Sequence, residues 1–122
     1  MVLSVDSSSY GLGATLMQDN HPVAYASKIL TKAQQNYAQI EKEMLAIVFG
    51  CQHFHQYIYG NQIKIETDHK PLVNLMRRNL AGVTARLQKL MLKVQKYDLM
   101  VNYKPGKEII MPDALSRFPL NE

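Results

Sequence analysis

Apolar residues recur in two rhythms along this chain, and the switches between them mark its elements. Val2–Asp6, Gly11–Gln18 and Pro22–Lys28 read as three strands, and the turn formers Ser7-Ser8-Ser9-Tyr10-Gly11 and Asp19-Asn20-His21 join them into an antiparallel meander. Thr31 with Gln34 three residues later is a capping box, which predicts a helix start. Ile40, Met44, Ile47, Val48, Cys51, Phe54 and Ile58 then keep one helical face apolar as far as a stop at Gly60-Asn61. Gln62–Thr67 is a fourth strand, and Pro71 suits the first turn of a short helix through Met76. Val83, Leu87, Leu90, Met91, Val94 and Tyr97 mark another amphipathic helix. Leu99–Tyr103 is a fifth strand, Lys104-Pro105-Gly106-Lys107 a turn, and Pro112–Arg117 a last short helix. The order β-β-β-α-β-α-α-β-α predicts an α/β fold, a five-stranded mixed sheet flanked by helices.

Composition narrows this picture only slightly. A chain of 122 residues with 47% hydrophobic and 20% charged residues is one ordinary globular domain, large enough to bury a core. Fourteen Lys and Arg against 10 Asp and Glu leave a net charge of +4, which suits a polyanion such as nucleic acid or merely solubilises the surface. The single cysteine, Cys51, has no partner for an internal disulfide and sits in an apolar helical stripe, so it reads as core. With no signal peptide and no 18-residue apolar run, the expected setting is intracellular rather than secreted or membrane-bound. The first strand begins at residue 2, as in a piece excised from a longer polypeptide.

Candidate chemistry comes from acids placed where a hydrophobic residue or a turn is expected. Asp6 closes the first strand, Glu43 lies on the long helix, Asp68 follows the fourth strand, and Asp113 opens the last helix. Strand ends and helix starts converge readily in space. Four carboxylates at one spot repel one another unless divalent cations neutralise them, which points to a two-metal site for attack of water on a phosphodiester. Glu41 competes with Glu43 for the helix position. Two residues turn a helix by roughly 200°, so only one of the pair reaches the site. Glu41 is then a solvated or helix-N-terminal acid. Glu66, on the strand face of Asp68, is either an accessory acid or an exposed strand residue. His21, His53 and His55 have no credible ligand set, and one cysteine does not make a zinc site.

Seven segments form a set in fixed order: Val5-Asp6-Ser7-Ser8, Tyr10-Gly11-Leu12-Gly13-Ala14 and His21-Pro22-Val23-Ala24-Tyr25-Ala26-Ser27 come first. Tyr37 with Glu41-Lys42-Glu43-Met44-Leu45-Ala46-Ile47 follows, then Thr67-Asp68-His69-Lys70-Pro71-Leu72. Tyr103-Lys104-Pro105-Gly106-Lys107 and Asp113-Ala114-Leu115-Ser116-Arg117 complete the set. Together they resemble the ribonuclease H domain of Ty3/gypsy-type LTR-retrotransposon Pol polyproteins. The resemblance spans nearly the whole chain and implies a ribonuclease H-like fold over residues 1–118, with 119–122 a tail. It implies hydrolysis of the RNA strand of RNA–DNA hybrids with two Mg²⁺ or Mn²⁺ ions, beside a reverse transcriptase domain of the same polyprotein. The setting would be the cytoplasm or a virus-like particle. Asp6, Glu43, Asp68 and Asp113 fall on the family's metal-binding positions, and Glu43 rather than Glu41 matches its Glu-x-Leu-Ala pattern. The first three acids would hold one ion at the leaving oxygen, and Asp6 with Asp113 the other at the attacking water.

Substrate contacts are less sharply written. Ser7, Ser8 and Ser9 either meet RNA 2′-hydroxyls and phosphates or form a polar turn. Arg86, Lys89, Lys93 and Lys96 make a basic helical stripe, either a phosphate contact or a solvated face. His69, beside Asp68, either hydrogen-bonds near the site or caps the following helix. Two functions follow from different classes: a hybrid-specific endoribonuclease, or a non-catalytic module that binds nucleic acid or braces the polymerase domain.

Overall fold

The computed structural model describes residues 1–77 and 83–105. Strands β1 (Val2–Ser7), β2 (Gly11–Gln18) and β3 (His21–Ile29) form the meander. Helices α1 (Lys32–Gln35), α2 (Gln39–His53) and α3 (His55–Ile58) lead to β4 (Gln62–Thr67). Then come α4 (Lys70–Arg77), α5 (Ala85–Lys93) and β5 (Asp98–Tyr103). The strands make one mixed sheet in the order β3-β2-β1-β4-β5. Pairing is antiparallel along the meander and parallel for β1–β4 and β4–β5. This is the five-stranded mixed α/β sheet that the pattern predicts. The expected helix over Pro112–Arg117, the Gly106-Lys107 half of the last turn, Asp113 and the boundary after residue 118 lie outside the described residues.

Local chemistry explains the joints. Asp19 and Asn20 both hold positive φ, 53° and 64°, the conformation that short polar side chains tolerate best and that a tight hairpin demands. Leu3 and Val5 alternate with Ser4 and Asp6 along β1, so the two apolar side chains go fully into the core. Above them lies α2, whose Met44, Ile47, Val48 and Cys51 are buried, each large one worth about 1.5–3 kcal/mol by area. Gly50 lets the helix ride low: a Cβ there would stand 2.9 Å from Leu3 Cδ2 and 3.2 Å from Ala14 Cβ. The depth of α2 on the sheet is therefore set by a glycine, and with it the height of every residue α2 carries. Burial also pushes the Cys51 thiol up to about 12, in keeping with an inert core residue.

Between Thr31 and Gly60 the structure corrects the pattern: the single helix expected there is three helices. The Thr31–Gln34 capping box forms, but α1 lasts one turn and buries nothing, so no packing extends it. Ala38 is extended at φ −59° and ψ 152°, and α2 starts afresh where the apolar face begins. A second interruption at Phe54 separates α2 from α3.

Candidate metal centre

The parallel pairing of β1 with β4 puts Val2 beside Lys64, Leu3 beside Ile65 and Ser4 beside Glu66. Two residues beyond the last of these pairs come Asp6, near the end of β1, and Asp68, just past the end of β4. The first turns of α2 pass over this end and bring Glu43. One carboxylate oxygen from each of Asp6, Glu43 and Asp68 lies within 4.8 Å of the others. Asp6 and Glu43 are buried and Asp68 is exposed, so the cluster opens to solvent on one side.

Glu43 is only half satisfied. Its Oε2 accepts a short hydrogen bond from the Ser7 hydroxyl and another from Gln39 Nε2 at 2.7 Å. Gln39 Nε2 also reaches Ser7 Oγ at 3.1 Å, closing a three-membered network. Oε1 is buried and has no hydrogen-bond partner among the described residues. Burial pushes the Glu43 carboxyl up to about 7, and Asp68 adds to the push while Ser7 and Gln39 oppose it. An unpartnered buried oxygen costs free energy unless something with positive charge meets it. Three convergent carboxylates, one with a spare oxygen, are the hard oxygen donors that Mg²⁺ or Mn²⁺ takes. The residues present fit a divalent cation. Asp113, the fourth acid of the sequence reading, lies outside the described residues.

The other expected site residues are placed as follows. Ser7 lends its hydroxyl to Glu43. Ser8 Oγ accepts from the amides of Gly11 at 3.2 Å and Tyr10 at 3.3 Å inside the β1–β2 turn, where Ser9 is exposed. His69 is half-buried beside Asp68, and its backbone amide donates to Thr67 Oγ1 at 3.2 Å. Burial holds its imidazole below the ordinary histidine value, against the pull of Asp68. Arg86, Lys89, Lys93 and Lys96 are exposed. Gln34, Tyr37, Leu45, Arg86, Lys89 and Lys93 line a groove of about 480 Å³. Arg86 is already engaged: its Nη1 is 3.3 Å from Glu41 Oε1, and its guanidinium lies 4.0 Å from the centre of the Tyr37 ring.

Glu41 departs from the solvated alternative. It is in the first turn of α2, but only 5% exposed. Its Oε1 accepts from the Ala38 amide at 3.0 Å, which caps the helix, and Oε2 accepts from Thr84 Oγ1 at 3.0 Å. Glu66 is half-buried, bridging Ser4 Oγ at 3.1 Å and Lys104 Nζ at 3.5 Å, and is not in the cluster. Sequence reasoning missed Gln39 and Thr84. Gln39 precedes Glu43 by four residues, one helical turn, and that spacing was the available signal. Nothing local marks Thr84 as a partner of Glu41.

The chain is similar to known proteins in sequence and in fold. Residues 1–97 match the family described as "RNase H-like domain found in reverse transcriptase". The Pol polyprotein from transposon opus of Drosophila melanogaster is 42% identical over 96% of this chain and 12% of its own length. That from transposon gypsy of the same fly is 39% identical over 98% of this chain and 11% of its own. The chain therefore spans about a tenth of these relatives. Among solved structures, RNase H1 from the halophilic archaeon Halobacterium salinarum superimposes with a TM-score of 0.77, covering 99% of this chain and 98% of that one at 14% identity. LC11-RNase H1 in complex with an RNA/DNA hybrid gives a TM-score of 0.68, covering 93% and 91% at 14% identity. Likeness at that identity concerns the fold.

Proposed function

Since the chain belongs to the RNase H-like domain family found in reverse transcriptase, in the form carried by Ty3/gypsy-type retrotransposon Pol polyproteins, we propose that it is a ribonuclease H that cuts the RNA strand of RNA–DNA hybrids. The observation that carries this reading is the Asp6, Glu43 and Asp68 cluster, in which Glu43 Oε1 has no partner among the described residues. Asp6, Glu43 and Asp68, with Asp113 as a fourth ligand, would hold two Mg²⁺ or Mn²⁺ ions. Bound ions of this kind neutralise charge developing on a phosphate and lower the pKa of water.

The chain's own residues prepare the site. Ser7 and Gln39 pin Oε2 of Glu43, which leaves Oε1 as the ligand atom. Lys89, Lys93 and Lys96 offer exposed ammonium groups to phosphates, and Ser8, Ser9 and His69 border the acids where a sugar-phosphate backbone would pass. The domain would work as part of a polyprotein with a reverse transcriptase domain, inside the cell in cytoplasm or a virus-like particle. Among the described residues no helix is long and apolar enough to cross a membrane.

The test incubates the purified chain with a labelled RNA–DNA hybrid, with Mg²⁺, with Mn²⁺ and with chelator, beside Asp68→Asn. Cleavage of the RNA strand is expected only with an ion and only in the parent. A parent that binds hybrid but leaves it intact with both ions is instead the non-catalytic module that binds nucleic acid or braces the polymerase domain.

A further inference from the structure

We propose that Glu41, with Thr84 and Arg86, is a positioning device that holds the first turn of α2 so that Glu43 stands in the metal centre, and that Arg86 acts through Glu41 rather than on phosphate. The inference rests on the metal-centre reading and deepens it.

The geometry is that of a clamp. Glu41 and Glu43 leave the same turn about 200° apart, so the turn is gripped from both sides. On one side Ser7 and Gln39 hold Glu43. On the other, Glu41 takes the Ala38 amide, the Thr84 hydroxyl and the Arg86 guanidinium. Thr84 is also the N-cap of α5, since its Oγ1 accepts from the Leu87 amide at 3.1 Å. One hydroxyl thus ties the start of α5 to the start of α2. Arg86 is further fixed by its place over Tyr37, in the link between α1 and α2. The Ala38 methyl cannot accept a hydrogen bond, so among the described residues the side-chain cap that α2 receives is Glu41. A first turn without it frays, and the residues it carries shift with it.

The experiment compares the whole chain with Arg86→Met, Arg86→Lys, Glu41→Gln and the double variant Glu41→Gln/Arg86→Met. Mn²⁺ binding is measured by calorimetry, hydrogen exchange of residues 38–43 without metal, and hybrid cleavage as kcat and KM over a range of salt. Arg86→Met should weaken Mn²⁺ binding and lower kcat by about tenfold or somewhat less, the lower range for loss of a group that orients a ligand. It should speed exchange in the first turn and leave KM and the salt slope unchanged, and Arg86→Lys should recover most of the loss. The double variant should be no worse than Glu41→Gln alone, because both break one link.

A raised KM and shallower salt slope in Arg86→Met, with normal kcat, Mn²⁺ affinity and exchange, returns Arg86 to phosphate binding and overturns the proposal. So do additive effects in the double variant. The Arg86 side chain is 51% exposed, so Arg86→Met folds even where Glu41→Gln does not. A parent chain that binds no Mn²⁺ fails differently, since the metal-centre reading then falls first.

Discussion

Glu41 and Glu43 sit two residues apart on one helix, both buried, and meet opposite fates. Burial alone would lift Glu41, but the Ala38 amide, the Thr84 hydroxyl and Arg86 together hold its carboxyl below the ordinary value. Among the described residues Glu43 has two donors on one oxygen and none on the other, with Asp68 beside it, and stands at about 7. Burial therefore does not distinguish a structural acid from a ligand. The count of donors does. A carboxylate with its lone pairs filled by protein is architecture, and one with an oxygen left bare has room for a cation.

The sharpest way to break this contrast is activity. Glu43→Gln should take hybrid cleavage to background, a loss larger than the roughly 10–100-fold that follows removal of a group that merely orients a ligand. Near-parental turnover in that variant would dissolve the distinction between the two acids.

Stability against pH tests the same contrast without substrate. In the metal-free protein Glu43 titrates at about 7, above its ordinary 4.5, so between these values the folded chain holds a proton that the unfolded chain has lost. Stability should fall as pH rises through that window, by at most about 3 kcal/mol, and the penalty should be complete above it. Glu43→Gln should flatten this loss and melt higher than the parent at pH 8 in chelator, an order that Mn²⁺ should reverse. Identical melting profiles from pH 4.5 to 8 would mean that the bare oxygen carries no cost.

The smallest effect separates tied from untied cations. Changing Lys89 and Lys93 together to alanine should weaken hybrid binding, leave the rate at saturation unchanged, and reduce the salt slope by about 0.7–0.9 for each phosphate no longer neutralised. An unchanged slope and affinity would make these lysines an ordinary solvated face.

Much of this was legible along the chain, and the boundary of legibility has a physical cause. The meander, the existence of the fourth and fifth strands and the placing of Asp6 and Asp68 at strand ends follow from local rhythm and turn residues, which act over a few positions. Helix phase said that only one of Glu41 and Glu43 reaches the site, and the match to the family's Glu-x-Leu-Ala pattern chose Glu43. The break at Ala38 was not legible, because the Thr31 capping signal is real and nothing local says that α1 finds no surface to bury. Nor was the engagement of Arg86. It depends on Glu41, 45 residues away, and only the packing of α5 on α2 brings the two together. Glu41, expected to be solvated or helix-terminal, is terminal and buried for that same reason. Asp113 lies beyond the described residues.

The parallel register of β1 and β4 has a consequence for how the chain acquires its chemistry. The pairing joins residues 62 apart, as the Ser4–Glu66 bond shows, and closing so long a loop comes with an entropy cost that short hairpins escape. Parallel pairings of this span form slowly, after local helices and the β1–β3 meander. Asp6 and Asp68 therefore become neighbours only when β4 has docked. A ribosome-bound chain that has emerged only as far as α3 carries Asp6 and Glu43 but not Asp68, so its cluster of acids is incomplete. Convergence of the three acids then reports completed folding, and a site built this way is assembled last.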